Sequence, residues 1–561
     1  MADSTYKYQS VANNFSDIFT TTVSSSGCPQ NMFNINATVN ENETWINLTW
    51  EEPLDTTTDT DDTVTCSVSG IVIIRKKDSA PTGINDGNLV LHVARSDFGN
   101  YISTAYADKS ITFENGTYYY GFFPYSANNG EEVYNVSSNN ITSVEYSNAD
   151  IVIQNRAYGF TLDTNESNPA TNITYIGINT DYNSAKMNYS TNTFDYGDWE
   201  NIWFIKNCKP CMLKYDGTVD YYLDKNDYTL REDGTASDIA NSSYDGNVMI
   251  EIPLVYYKII DNNDGTYSFY FSDKEVDSTF RPWWSFYDKN GNVINHTYMA
   301  AYSGSNVSSV LRSISGTTNM YNQTAATEIS YANANNTNGG VSNIWYTEVY
   351  SDRQLINMLL MLIGKSTDTQ TVFGNGNVYF KVVSGIDAYV STNIIKSGTM
   401  NQKGLFWGSN STTTYTGVKV FGIENYWANQ IRRIGGWIND NGTQKIKLTW
   451  GKTDGTTTTG YNTDGSGYIA VEGATPSGST GGYISKCMIN EYGIIPYQAS
   501  GSDSTYECDA LLFNNTRVSY AYISNGSKLG CGAFAVGLDA QATIAGYYGA
   551  ALSCKPLATT A

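Results

Sequence analysis

Histidine is almost missing from this chain: His92 and His296 are the only two in 561 residues. They lie far apart in sequence, one in a strand pattern and one beside a hairpin signal. Neither has the partners of a Ser–His–Asp or Cys–His arrangement, so both read as structural residues. No G-x-S-x-G, H-E-x-x-H or P-loop sequence is present. Basic residues are also scarce: 33 Lys and Arg stand against 55 Asp and Glu, a net charge of −22. Such a chain repels polyphosphate, which argues against nucleic acid as a partner. Long apolar runs are lacking too. The longest, residues 355–363, falls short of the roughly 20 residues a membrane helix needs, so no membrane insertion is expected. The opening MADSTYKYQSVANN has neither a basic nor an apolar region, so no secretion signal is expected.

Cysteine is limited to Cys28, Cys66, Cys208, Cys211, Cys487, Cys508, Cys531 and Cys554. Without a secretion signal, the expectation is free thiols packed as small apolar groups. Cys208-Lys-Pro-Cys211 has the C-x-x-C spacing but no thioredoxin-like context and no second ligand pair near by. Two acidic turns, 224–234 and 261–265, carry alternating oxygens that leave calcium open as a cofactor. Neither ends in the spaced Glu of an EF-hand loop, and turn formation accounts for them. Otherwise no cofactor or metal is expected. The many Asn-x-Ser/Thr triplets, such as those at Asn115 and Asn241, read as products of an Asn- and Thr-rich composition.

What is present is mostly strand and turn. Asp216-Gly217, Asp264-Gly265, Asn290-Gly291 and Asn441-Gly442 each sit between strand patterns, as tight hairpins require. One helix is clear. Residues 351–365 place Leu355, Met358, Leu359, Leu362 and Ile363 on one stripe, with Ser351 as cap and Gly364-Lys365 as stop. The last stretch, 506–556, carries two Gly-rich apolar runs, GCGAFAVGL and GYYGAALSC. Between and before them lie segments crowded with Tyr, Asn, Ser and Asp. Rigid strands that hold Tyr, Ser, Asn and Gly suit a binding surface, because Tyr offers contact area at low entropy cost.

In the N-terminal part, Ile46, Leu48 and Trp50 alternate inward, GIVIIRKK follows, and Tyr118–Tyr120 stand in a later strand. In that order these segments resemble a fibronectin type III domain, which implies a seven-strand β-sandwich used as spacer or docking module. The division read from the chain is a 1–32 attachment segment, a 33–126 sandwich, a 127–197 connecting region with a polar linker at 127–150, and a 198–557 domain. The fold class expected is mainly β, with an α+β C-terminal domain.

That last domain carries its own resemblance. FGIENYWANQIRRIGGWI (421–438) is similar to the G-x-E-N-x-W-G-N segment of C-type-lectin-fold proteins of the formylglycine-generating-enzyme type. With 292–316, the 351–365 helix and 482–509, the set resembles the C-terminal lectin-fold domain of tailed-phage receptor-binding proteins. Its end is similar to the variable proteins served by diversity-generating retroelements, of the major tropism determinant type. The resemblance implies a virion adhesin, tail fibre or head fibre, that forms homotrimers. It also implies attachment to other virion proteins through the N-terminal segment, and binding of a host cell-surface glycan or protein. Carried onto this chain, the display residues are Tyr506, Asn514, Asn515, Arg517, Ser519, Tyr520, Tyr522, Asn525, Tyr547 and Tyr548. The Gly-Ala-Phe and Ala-Leu-Ser-Cys runs are framework. Where the enzymes have Asn-Val-Trp-Glu-Trp, this chain has Asn429-Gln-Ile-Arg-Arg, and no reactive Cys pair or copper-type ligand set is matched, so no enzyme is expected. The alternatives are a head-fibre or capsid decoration protein with a structural lectin-fold domain, and a tail-associated polysaccharide depolymerase.

Overall fold

A computed structural model describes residues 8–11, 18–19, 29–39, 45–57, 64–100, 106–111, 113, 116–128, 131–146, 153, 156–377, 394–411, 414, 416–456, 460–523, 531–543 and 548–558. The fold is mainly β, with 40% strand against 11% helix. The chain divides into two units, Met1–Asn155 and Arg156–Ala561.

The first unit is built on two sheets that share one core. A three-stranded sheet runs Phe33–Val39, Ile46–Glu51, Tyr106–Asp108. A seven-stranded sheet contains Asn88–Ala94, Gly70–Lys77, Gly116–Asn128 and Glu131–Asn135 in that order. Ile46, Leu48 and Trp50 face inward from the small sheet, and Ile71, Ile73, Tyr120 and Phe122 meet them from the large one. The Trp50 and Phe122 rings lie 5.8 Å apart. This is the period-two pattern turned into a packed layer: alternate residues leave the water and the others stay wet. One ion pair is enclosed between the sheets, Arg75 with Asp108. Asp108, 1% exposed, accepts from Arg75 Nη1 at 2.6 Å and from Tyr120 Oη at 2.9 Å.

The 127–150 stretch expected as a polar linker contains two paired strands, and the rest of the 127–197 connecting region, expected to be β-rich, holds further ones. Glu131–Asn135 and Ile141–Tyr146 both pair with Gly116–Asn128. Tyr158–Asp163 and Ile173–Gly177 pair with each other inside the second unit. The polar composition misled because a strand with one solvated face needs few buried residues, here Tyr134 and Tyr146. Tyr8–Val11, within the expected attachment segment, pairs with Glu131–Asn135. Cys66 is disulfide-bonded rather than free. Six others, Cys208, Cys211, Cys487, Cys508, Cys531 and Cys554, form no disulfide.

Three larger sheets organise the second unit. A five-stranded sheet centres on Thr266–Ser272. A six-stranded sheet runs Val219–Tyr222, Lys209–Lys214, Gly246–Pro253, His296–Ala300, Leu552–Cys554, Trp345–Thr347. A nine-stranded sheet has Arg432–Asp440, Val518–Ile523, Val536–Ala540, Ala510–Phe513 and Gly481–Asn490 as consecutive inner strands. Asp216-Gly217, Asp264-Gly265 and Asn441-Gly442 join paired strands as expected, with Gly217, Gly265 and Gly442 at φ of 87°, 88° and 93°.

The helix Tyr350–Gly364 corrects two expectations. All fifteen of its residues are buried, not one stripe. Ser351 lies inside the first turn; the cap position is Val349, which makes no side-chain cap bond. The helix is enclosed because its polar groups meet neighbours on every side. Ser351 O accepts from Trp283 Nε1 at 2.7 Å, Tyr350 donates to Tyr492 O at 3.1 Å, and Gln354 Oε1 accepts from Ile494 N at 2.9 Å. A helix satisfied in this way needs no polar face.

Glu348 joins the large sheets. Its N–H donates to Ala551 O at 2.8 Å, beside the terminal strand of the six-stranded sheet. Its carbonyl accepts from Gly435 N at 2.7 Å, in the nine-stranded sheet. Its carboxylate, 3% exposed as a residue, sits 3.6 Å from Arg353 and 3.4 Å from Arg432. Replacing Glu348 by Gln strands two buried guanidinium groups without a carboxylate. A loss of about 3–5 kcal/mol is expected, read as a lowered urea midpoint with both tryptophan fluorescence and far-UV circular dichroism.

Candidate functional site

The terminal stretch forms the centre of the second unit. Ala510–Phe513, Val518–Ile523 and Val536–Ala540 are neighbours in the nine-stranded sheet, and Leu552–Cys554 enters the six-stranded sheet between His296–Ala300 and Trp345–Thr347. The expected framework runs are buried: Gly532, Ala533 and Phe534, and Ala551 to Cys554. Asp509 holds the first of them. Its Oδ1 accepts from Gly532 N, and its Oδ2 from Phe534 N at 2.8 Å.

The structure separates the ten expected display residues. Asn514, Asn515 and Arg517 come together in the turn between Ala510–Phe513 and Val518–Ile523, all partly exposed. Ser519, Tyr520 and Tyr548 are not display residues, being only 1%, 2% and 7% exposed. Tyr520 donates to Asn462 O at 2.7 Å. The Tyr548 ring lies under the Arg433 guanidinium, 4.5 Å from its centroid, and Arg433 in turn pairs with Glu328 at 2.7 Å. These tyrosines are core because they pack in one cluster with Ala325, Ile431 and Ile438. Tyr506 lies elsewhere: its N–H donates to Ser167 O at 2.8 Å and its carbonyl accepts from Thr367 Oγ1 at 2.6 Å. Tyr522 is placed by backbone only, opposite Arg433 and Gly537. Asn525 and Tyr547 lie outside the described residues.

The 514–517 turn is a stiff tip. Asn514 Oδ1 accepts from both Thr516 N, at 2.9 Å, and Thr516 Oγ1, at 2.7 Å. Asp216, Asp227, Asp233, Asp264, Asp277 and Asp454 make the same pair of bonds to the Thr two residues on. The short side chain supplies the acceptor that the turn backbone lacks. The clamp holds Asp227, Asp233 and Asp264 in the 224–234 and 261–265 turns, while Asp224, Asp261 and Asn241 close on the backbone N–H two residues on, at 2.8, 2.8 and 2.9 Å. Among the described residues, no group of three His, Cys, Asp or Glu is arranged to hold a metal ion.

Asn515 ties the tip to its neighbours. Its Nδ2 donates to Pro476 O at 2.7 Å, and its Oδ1 accepts from Asn439 Nδ2 at 3.1 Å. Arg517 Nη2 donates to Asp539 O. The exposed groups left at this end of the sheet are Thr516, Val518, Asn441, Thr443 and Thr475, with Arg517 beside them. None carries acid–base chemistry; the patch offers amide, hydroxyl and one guanidinium for hydrogen bonding. Sequence reading named Asn514, Asn515 and Arg517 as display residues but not the turn they form, nor that Asn439 and the Asn441-Gly442 hairpin lie against it.

The Cys208 and Cys211 side chains diverge into different clusters of the core, and burial pushes the Cys208 thiol up to about 12 and the Cys211 thiol well above its ordinary range. Thiols so held are protonated and packed, not poised nucleophiles. The Glu-Asn-Tyr-Trp run of 424–427 is also buried and structural. Glu424 accepts from Gly398 N and Met400 N at 2.8 Å each, Tyr426 donates to Asn357 Oδ1 at 2.9 Å, and Trp427 donates to Gly374 O at 3.1 Å.

Compared with known proteins, the chain matches no protein-family model and no curated protein.

Two outcomes follow for the terminal stretch. Tyr548→Ala is expected to cost about 3 kcal/mol, as for a large buried ring, seen as a lowered melting temperature. Asp509 predicts a pH effect. Burial pushes its carboxyl from 3.8 up to about 8, against the pull of the two backbone N–H groups. A raised folded value means the folded state binds the proton more tightly, so this contribution is full at low pH and is lost as pH rises from about 4 to about 8. Urea midpoints measured across that range should fall with pH, and Asp509→Asn should flatten the slope.

Proposed function

We propose that this chain is a phage virion adhesin. In this reading the first unit is a fibronectin type III-like spacer, and the second is a C-type-lectin-fold domain that meets a host surface ligand with the sheet end around 514–517. The carrying observation is the construction of that end: a polar tip clamped by Asn514 and Asn515 on buried central strands. A rigid base with adaptable polar groups at its tip suits recognition, since little entropy is lost when it binds. A two-sheet unit, three strands packed on a seven-stranded sheet around one core, supports the spacer reading. Homotrimers would multiply a weak single contact through avidity. The reading has the protein acting by binding, without catalysis.

The second reading, a head-fibre or capsid decoration protein, draws on the burial of Ser519, Tyr520 and Tyr548, which shrinks the display surface. Adsorption separates the two. Arg517→Glu with Val518→Asp changes the tip while leaving the buried strands alone. Phage carrying both should adsorb to host cells at least ten-fold more slowly, with the purified protein melting as before. Unchanged adsorption with unchanged melting would favour decoration.

A further inference from the structure

A groove away from the terminal tip has the lining of a ligand site. It encloses about 360 Å³, within the range of small-molecule sites. One wall is the helix Ala325–Asn338, which presents Ala326, Ile329, Ser330 and Asn333, the i, i+3, i+4, i+7 positions of one face. The other wall is aromatic. Tyr346 and Trp450 stack at 5.2 Å and 22°, and Tyr461 meets both edge-on, at 5.3 and 6.0 Å. Trp345 and Thr347 form the floor and are buried. Ser330 and Asn333 are exposed, so the groove is open on the helix side. The Tyr461 hydroxyl is shielded from water and has no hydrogen-bond partner among the described residues.

The chemistry narrows the occupant. No charged side chain lines the groove, in a chain of net charge −22. A cation finds no carboxylate there and a phosphate finds no guanidinium or ammonium, so a neutral ligand fits. Asn333 Oδ1 already accepts from Asn336 Nδ2 at 3.0 Å, but a wholly apolar ligand would take the Ser330 hydroxyl and the Asn343 amide out of water without giving them partners, which costs affinity. The fitting ligand is neutral, carries several hydroxyl groups on one side, and has an apolar C–H side to lie against aromatic rings. A pyranose ring has that build. We infer that the groove between the helix Ala325–Asn338 and the Tyr346–Trp450–Tyr461 cluster binds a neutral hexose unit of a glycan. This site is separate from the 514–517 tip and stands or falls without it.

The test uses the whole chain. Methyl glycosides of glucose, galactose, mannose and N-acetylglucosamine are titrated while tryptophan fluorescence and calorimetric heat are followed, with indole as an apolar probe. At least one glycoside should bind saturably. Ala326→Trp, at an exposed helix position, fills the groove and should weaken that binding at least ten-fold without changing the melting temperature. Ser330→Ala with Asn333→Ala should weaken it several-fold, and Arg517→Glu should leave it unchanged. The proposal is overturned if no glycoside binds, if indole alone binds, if Ala326→Trp binds as the parent does, or if Arg517→Glu abolishes binding.

Discussion

One carboxylate between two buried arginines holds the second unit together. Glu348 faces Arg353, in the helix Tyr350–Gly364, and Arg432, in the nine-stranded sheet. Both guanidinium groups also donate to Tyr426 O, Arg353 at 2.6 Å and Arg432 at 3.2 Å. Arg353 further reaches Ala533 O at 3.3 Å, in the terminal stretch, and its guanidinium lies 3.6 Å from the Tyr426 ring centroid. Burying charge is costly unless partners surround it. Here the partners come from three separate stretches of the chain, 348–353, 426–432 and Ala533, so the arrangement exists only when all three are in place. That is a device for specificity more than for raw stability, since an apolar cluster of equal volume would hold the sheets without demanding one register.

Two further buried pairs repeat the pattern. Lys555 meets Asp352 at 2.6 Å, tying the residue after the last strand to the same helix. Glu328 meets Arg433, fixing the helix Ala325–Asn338 against the strand beside Arg432. The surface uses cheaper chemistry: an Asx side chain closing on a Thr two residues later, at turn after turn. This local bond explains why Asp, Asn, Thr and Gly crowd the loops. It also leaves the terminal tip rigid while its outer side chains stay free to contact a ligand.

Much of the fold was legible because its signals are local. Alternating Ile46, Leu48 and Trp50, the Asp-Gly and Asn-Gly turns, and the apolar 355–363 run each declare an element from a few neighbouring residues. The strands 131–135 and 141–146 were not legible, since a strand wet on one face looks like a polar linker. The candidate site was legible in part. Asn514, Asn515 and Arg517, named as display residues, form one partly exposed turn, but Tyr520 and Tyr548 were misread as exposed. Tyrosine serves a wet binding face and a buried, hydrogen-bonded core equally well, and only neighbours distinguish the two. The aromatic groove left no mark at all, because Tyr346, Trp450 and Tyr461 are separated in sequence by other elements.

By itself the sequence determined the secondary structure type, the hairpins and the acidic character. All of these follow from composition or from spacings within one turn or strand. The tertiary structure alone decided which residues are buried, which loops meet at the sheet end, and that helix face 326–333 closes a groove with rings from three other segments. Those outcomes depend on pairing between residues a hundred or more positions apart, such as His296–Ala300 with Leu552–Cys554. Long-range pairing is set by the sum of many packing and charge contacts, and no single local pattern carries it.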